Sequence, residues 1–236
     1  MDTRGTSDTD NSSGSAGNES SGAKKKGVKG LARALGRYWY ALVVLVVIVA
    51  GAIAWFVQQA SADAAWQKAT DDYGRADYAA AAKLLDNVAV PTDEKRLTVY
   101  AQTMLATRQL DKALPAYNSL YAKKKDPAVK IVIGNIYNEQ KKYDEAAKTY
   151  RDIINANTTY IQAYVNLSTL YKLQSKTQDA IDVAKQGVKA NPNSATLYEL
   201  LISMLLDNQG STDYKQAVAT LKKLNPSDPL LQTLKK

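Results

Sequence analysis

Cysteine and histidine are both absent from the 236 residues, and phenylalanine occurs once. Their absence removes thiol nucleophiles, disulfides, Cys/His zinc sites, histidine general bases and c-type haem attachment from consideration. No glycine-rich phosphate loop follows a strand, and no nucleophile sits in a recognised motif. Neighbouring acids such as Asp71-Asp72 and Asp93-Glu94 point different ways on a helix and read as solubilising or helix-start charges. The expectation is a protein that is not an enzyme and uses no cofactor or metal.

Residues 1–23 lack aromatic and branched aliphatic side chains and are mostly Ser, Gly, Thr, Asn and Asp. Such a segment buries too little apolar surface to offset its ordering entropy. Residues 1–37 are therefore expected to be a disordered polar and basic tail. The net charge of +8 is not focused: the tail holds seven Lys/Arg against four Asp/Glu, and the rest 24 against 19. Nucleic-acid binding needs a clustered basic face, so no nucleic-acid partner is expected.

What the chain does have is one long apolar run. Residues 38–57 are twenty positions without a charge, bounded by Tyr38, Trp39 and Tyr40 on one side and by Trp55 and Phe56 on the other. As a helix they span about 30 Å, the thickness of the hydrocarbon core, with aromatics at both headgroup layers. Lys24, Lys25, Lys26, Lys29, Arg33 and Arg37 precede the run, while Lys68 and Arg75 follow amid acids. The positive-inside rule then places the N-terminus in the cytoplasm, its basic tail on the anionic inner leaflet, and residues 58–236 outside. Cleavage after Ala62, at the small-x-small sequence Ala60-Ser61-Ala62, is the alternative, and would give a secreted domain.

Beyond residue 62 the chain repeats. Ile133-Gly134 and Tyr137 are followed by Tyr143-Asp144-Glu145-Ala146 and Tyr150; thirty-four residues on come Tyr164, Leu167-Ser168 and Tyr171, then Ala180 and Pro192. The alanines Ala81, Ala113, Ala146, Ala180 and Ala217 recur at gaps of 32, 33, 34 and 37. Small residues at these positions let paired helices approach, and Tyr and Leu fill the space between pairs. Asn191-Pro192, Gly210-Ser211 and Asn225-Pro226 fall where loops are needed.

Over about residues 62–226 this pattern resembles the tetratricopeptide repeat family. The resemblance implies an all-α solenoid of about five helix-turn-helix units, near 62–92, 93–126, 127–160, 161–194 and 195–230. Trp66 and Tyr73 would cap one end, and a short helix with Leu230, Leu231 and Leu234 buried would cap the other. In that family the first helices of the units line a concave groove that holds peptides or partner helices. Matching motif positions nominates Thr98, Gln102, Ile131, Asn135, Asn138, Glu139, Gln162, Val165, Thr169, Lys172, Glu199 and Ser203. Family members that grip a terminal carboxylate use a basic clamp, but here Ile131 stands at a clamp Lys and Thr169 at a clamp Asn. The resemblance therefore implies a membrane-anchored scaffold or adaptor for a protein or peptide partner, in envelope assembly or protein secretion. The alternative is a structural subunit that self-associates through its anchor or solenoid ends. Exposed tyrosines form no cluster in the sequence that would mark a glycan or lipid site.

Overall fold

The computed structural model describes residues 20–234, with side chains from residue 38 onward. Among the described residues there are eleven α-helices and no strand. The chain divides into two units, Met1–Asp63 and Ala64–Lys236.

In the first unit the described residues lie in helix α1 (Ser20–Gly74), whose last eleven residues belong to the second unit. Residues 38–57 fall inside it with every large apolar side chain exposed, and the part from Tyr38 is long and apolar enough to cross a membrane. The tail expected to be disordered through residue 37 is helical from Ser20, so helix extends well before the apolar run. Residues 1–19 of that expected tail lie outside the described residues.

The second unit is a solenoid of paired helices. The end of α1 is followed by α2 (Tyr78–Leu85), then α3 (Glu94–Ala106) with α4 (Leu110–Lys124), α5 (Pro127–Glu139) with α6 (Tyr143–Ala156), and α7 (Ile161–Leu173) with α8 (Thr177–Ala190). The last pair is α9 (Ala195–Met204) with α10 (Thr212–Leu224), and α11 (Pro229–Thr233) closes the stack. From α2 to α10 each helix packs on its sequence neighbour, while α5 also touches α7 and α7 touches α9, so these first helices share one face.

Two kinds of turn set this alternation. Three first helices start on a side-chain cap, while α7 starts at Tyr160 without one: Asp93 accepts from the backbone N–H of Arg96 at 2.9 Å, Asp126 from Ala128 at 2.8 Å ahead of Pro127, and Ser194 from Leu197 at 3.4 Å. The first helices of the first four pairs end in a left-handed residue five positions before each marker alanine: Ala76, Arg108, Lys141 and Ser175, with φ of 58 to 60°. The next residue's N–H then closes a six-to-one bond, such as Gln109 N to Met104 O at 2.8 Å and Lys142 N to Tyr137 O at 2.9 Å. The fifth pair differs, with a 3₁₀ turn over Leu206–Asn208 in place of the left-handed residue. That turn and the loop to the Ser211 cap absorb the longer gap of 37 residues between Ala180 and Ala217.

The core forms two apolar clusters. One gathers Trp66, Leu85, Leu97, Tyr100, Met104 and Ile136; the other holds Tyr150, Tyr164, Leu167, Leu197, Ile202 and Leu221. The marker alanines are at most 2 % exposed. Leu231 is buried, with Leu230 and Leu234 half-buried beside it, so α11 covers the end of the second cluster. Full burial of a Leu or Tyr side chain contributes about 1.5–3 kcal/mol, which makes the stacked pairs, rather than any single helix, the stable unit.

Candidate functional site

The residues nominated from the repeat pattern lie on α3 and on α5, α7 and α9, the last three of which share a face. The centre of that face is a row of side-chain amides. Gln162 Nε2 donates to Asn166 Oδ1 at 2.7 Å, and Asn166 Nδ2 donates to Asn135 Oδ1 at 2.9 Å. Tyr150 reaches through from α6 to donate its hydroxyl to the same Asn135 oxygen at 2.7 Å. Both lone pairs of Asn135 Oδ1 are thus used, and its Nδ2 has no protein partner among the described residues. One helical turn on, Asn138 Oδ1 is a buried acceptor with no hydrogen-bond partner among the described residues.

The Tyr150 ring is 1 % exposed. Burial pushes its phenol up to about 12 from 10.0, with the Asn166 amide pulling the other way. It stays a hydrogen-bond donor throughout the neutral range and holds the Asn135 amide in one orientation.

The remaining nominated residues divide. Gln102 is exposed and accepts the Tyr73 hydroxyl through Oε1. Glu139 pairs with Arg108 at 3.2 Å, an exposed ion pair of small energetic weight. Lys172 donates to the backbone oxygen of Ser203 at 3.1 Å, joining two nominated residues across α7 and α9. Thr169 is exposed and Val165 half-buried. The hydroxyls of Thr98 and Ser203 are spent on their own helices, on Glu94 O at 2.8 Å and Leu200 O at 2.7 Å. Glu199 turns toward the C-terminal cap, where burial first, and then the neighbouring Asp228, raise its carboxyl above the usual range.

Ile131 does not line an open groove. It is 7 % exposed and packs in the second core cluster, because its helix turns that face toward α6 and the next pair. Asn166, absent from the nominated set, links the row; its place four residues after Gln162, on the same helical face, was the available signal. The structure also gathers aromatics that are dispersed in the sequence. Tyr73 and Tyr78 meet edge to face at 5.7 Å between centroids. Together with Tyr117, Gln102, Leu105 and Ala106 they line a cavity of about 320 Å³.

Among the described residues, no cluster of acids could hold a metal ion. The family model of the tetratricopeptide repeat matches residues 128–160 and 161–194, which are the two pairs bearing the amide row. A search of curated proteins finds no match. Solved structures are similar in fold: a tetratricopeptide repeat protein from Parabacteroides merdae, 17% identical with a TM-score of 0.54 over 73% of this chain and 70% of that one. MamA from Desulfovibrio magneticus is 15% identical with a TM-score of 0.51 over 73% of this chain and 96% of that one.

Proposed function

For this tetratricopeptide-repeat chain, we propose a membrane-tethered adaptor: residues 38–57 are its anchor, the solenoid lies on the extracytoplasmic side, and the shared face holds an extended segment of a partner protein. The repeat fold is an interaction scaffold, and the amide row is the observation that supports this occupant. A peptide backbone offers alternating C=O and N–H groups. Asn135 is exposed and its Nδ2 is free to donate to such a C=O. The face carries few charges, so the bound segment is read through its backbone rather than through a charged end group. The apolar run, the basic residues before it and the acids after it support the tether and its direction. Recruitment of a partner during envelope assembly or secretion is the process this layout suits.

Photo-crosslinkers placed at residues 135 and 162 of the full chain, followed by mass spectrometry, should enrich a defined set of proteins. A profile identical to that of the anchor alone would overturn the reading. Protease added to spheroplasts should remove the solenoid and spare the tail; a protected solenoid would reverse the orientation.

A further inference from the structure

The tyrosine-lined cavity continues the amide row by one repeat, since Gln102 stands thirty-three residues before Asn135 at the same place in its helix. Six residues line it, Tyr73, Tyr78, Gln102, Leu105, Ala106 and Tyr117, and none carries a charge. A charged ligand group would lose its hydration there without gaining a partner. At about 320 Å³ the cavity lies at the lower end of ligand sites and suits one compact ring.

Its polar groups are biased toward donation. The Gln102 oxygen is occupied by the Tyr73 hydroxyl, which leaves the Gln102 Nε2 hydrogens with no partner among the described residues. Burial, and the Tyr73 phenol beside it, push the Tyr117 phenol up to about 12, so it remains protonated. A backbone segment that has carbonyls but lacks N–H groups complements such a site, and among residues only proline supplies that together with an apolar ring. Aromatic-lined pockets receive the preformed polyproline II conformation through the same stacking and donation.

We infer that this cavity is a subsite for a proline of an uncharged, extended partner segment. The inference rests on the peptide-groove reading above and names the chemistry of one end of the bound segment. The six prolines of this chain are never adjacent, so the proline-rich segment comes from another protein.

The test uses the full chain in detergent micelles and a fluorescein-labelled hexaproline peptide, compared by anisotropy with an alanine-serine peptide of equal length. Hexaproline should bind saturably and at least about fivefold more tightly. Tyr78→Ala should weaken it about tenfold and Tyr78→Phe far less, since the ring face carries the contact. Tyr78 is 36 % exposed, so unchanged helicity is expected in both variants. Equal affinity for the two peptides overturns the subsite, as does failure of both to bind. If both peptides bind alike and lose affinity only on Asn135→Ala, the groove stands and the proline subsite falls. A neutral hexasaccharide that displaces the label, and itself loses binding on Tyr78→Ala, overturns the proline assignment in favour of a sugar.

Discussion

The third and fourth helix pairs occupy equivalent places in the solenoid yet solve one packing problem in opposite ways. In the third, Gly134 on α5 faces the ring of Tyr150 on α6, and a Cβ at Gly134 would fall within the ring's van der Waals envelope. In the fourth, the places thirty-four residues on are Ser168 and Ala184, both buried. There the Ser168 hydroxyl donates to Ala180 O at 2.8 Å, tying α7 to α8 at the crossing itself, where α5 and α6 meet through glycine against the Tyr150 ring and the Tyr150 hydroxyl reaches on to Asn135. The glycine has moved to Gly187 on α8, where it admits Tyr164 and Leu197. What is kept between repeats is the summed bulk across the crossing, and individual residues trade places to keep it.

Breaking the third crossing should have the largest effect. Gly134→Ala drives a methyl into a ring pinned by Asn135, and should lower stability by about 1–3 kcal/mol, read as a shift in urea midpoint of the full chain in detergent. Adding Tyr150→Leu should restore much of the loss. Gly187→Ala is the matched control: the added Cβ would meet Leu197 Cδ2 and Tyr164 Cγ at 3.0 Å, a smaller overlap than that with the Tyr150 ring at Gly134, so its cost should be smaller. Equal costs at the two glycines would refute the bulk-exchange account.

Alkali should also act on the third pair, through its buried tyrosine. Tyr150 in the folded chain holds its proton to about 12, whereas an unfolded tyrosine releases it near 10.0. The stabilisation from a raised folded pKa is complete below 10 and is lost as pH climbs toward 12. Urea midpoints should therefore be level up to pH 10 and then fall, and Tyr150→Phe should make that fall shallower. Tyr117 supplies a second such group, and burial raises the Tyr164 phenol on α7 of the fourth pair as well. The second helix of the fourth pair has alanine instead, so Ala184→Val should leave the alkaline slope unchanged.

Ser168→Ala probes the hydrogen-bonded solution and should cost about 1 kcal/mol, the net worth of one buried bond. A loss of helicity spread over the whole solenoid at neutral pH would show instead that the hydroxyl is needed to nucleate the pair.

How much of this was legible follows from which positions are limited by size. The five marker alanines announce themselves because any larger residue would separate paired helices, and all are buried as that reasoning requires. The short terminal helix was legible from Asp228-Pro229 and its leucines, and Asp228 accepts from Leu230 N at 2.9 Å. The amide face was legible as a set of positions, but its wiring was not: Asn135 is fixed by Tyr150 from the second helix and Asn166 from the next repeat, two contacts that no single helical pattern contains. Ile131 was misplaced because a helix face grades into its core edge within one residue. Tyr73 and Tyr78 meet only because the chain reverses between them at Ala76; Gly74 and Asp77 mark a loop there but not which side chains it brings together.

Those reversals provide the smallest test and the sharpest. Left-handed backbone costs a residue with a Cβ about 1–2 kcal/mol, and glycine escapes that strain while losing about 0.5–1 kcal/mol in chain entropy. Lys141 is exposed, has φ of 60° and makes no ion pair among the described residues, so Lys141→Gly should raise stability by about 0.5–1 kcal/mol. Gln209, in the turn of the fifth pair, has φ of −64°, and there glycine gains nothing and loses the entropy. Gln209→Gly should therefore lower the urea midpoint while Lys141→Gly raises it. Opposite signs from the same substitution would establish that the first four turns carry strain that the 3₁₀ turn of the fifth relieves, and matching signs would refute it.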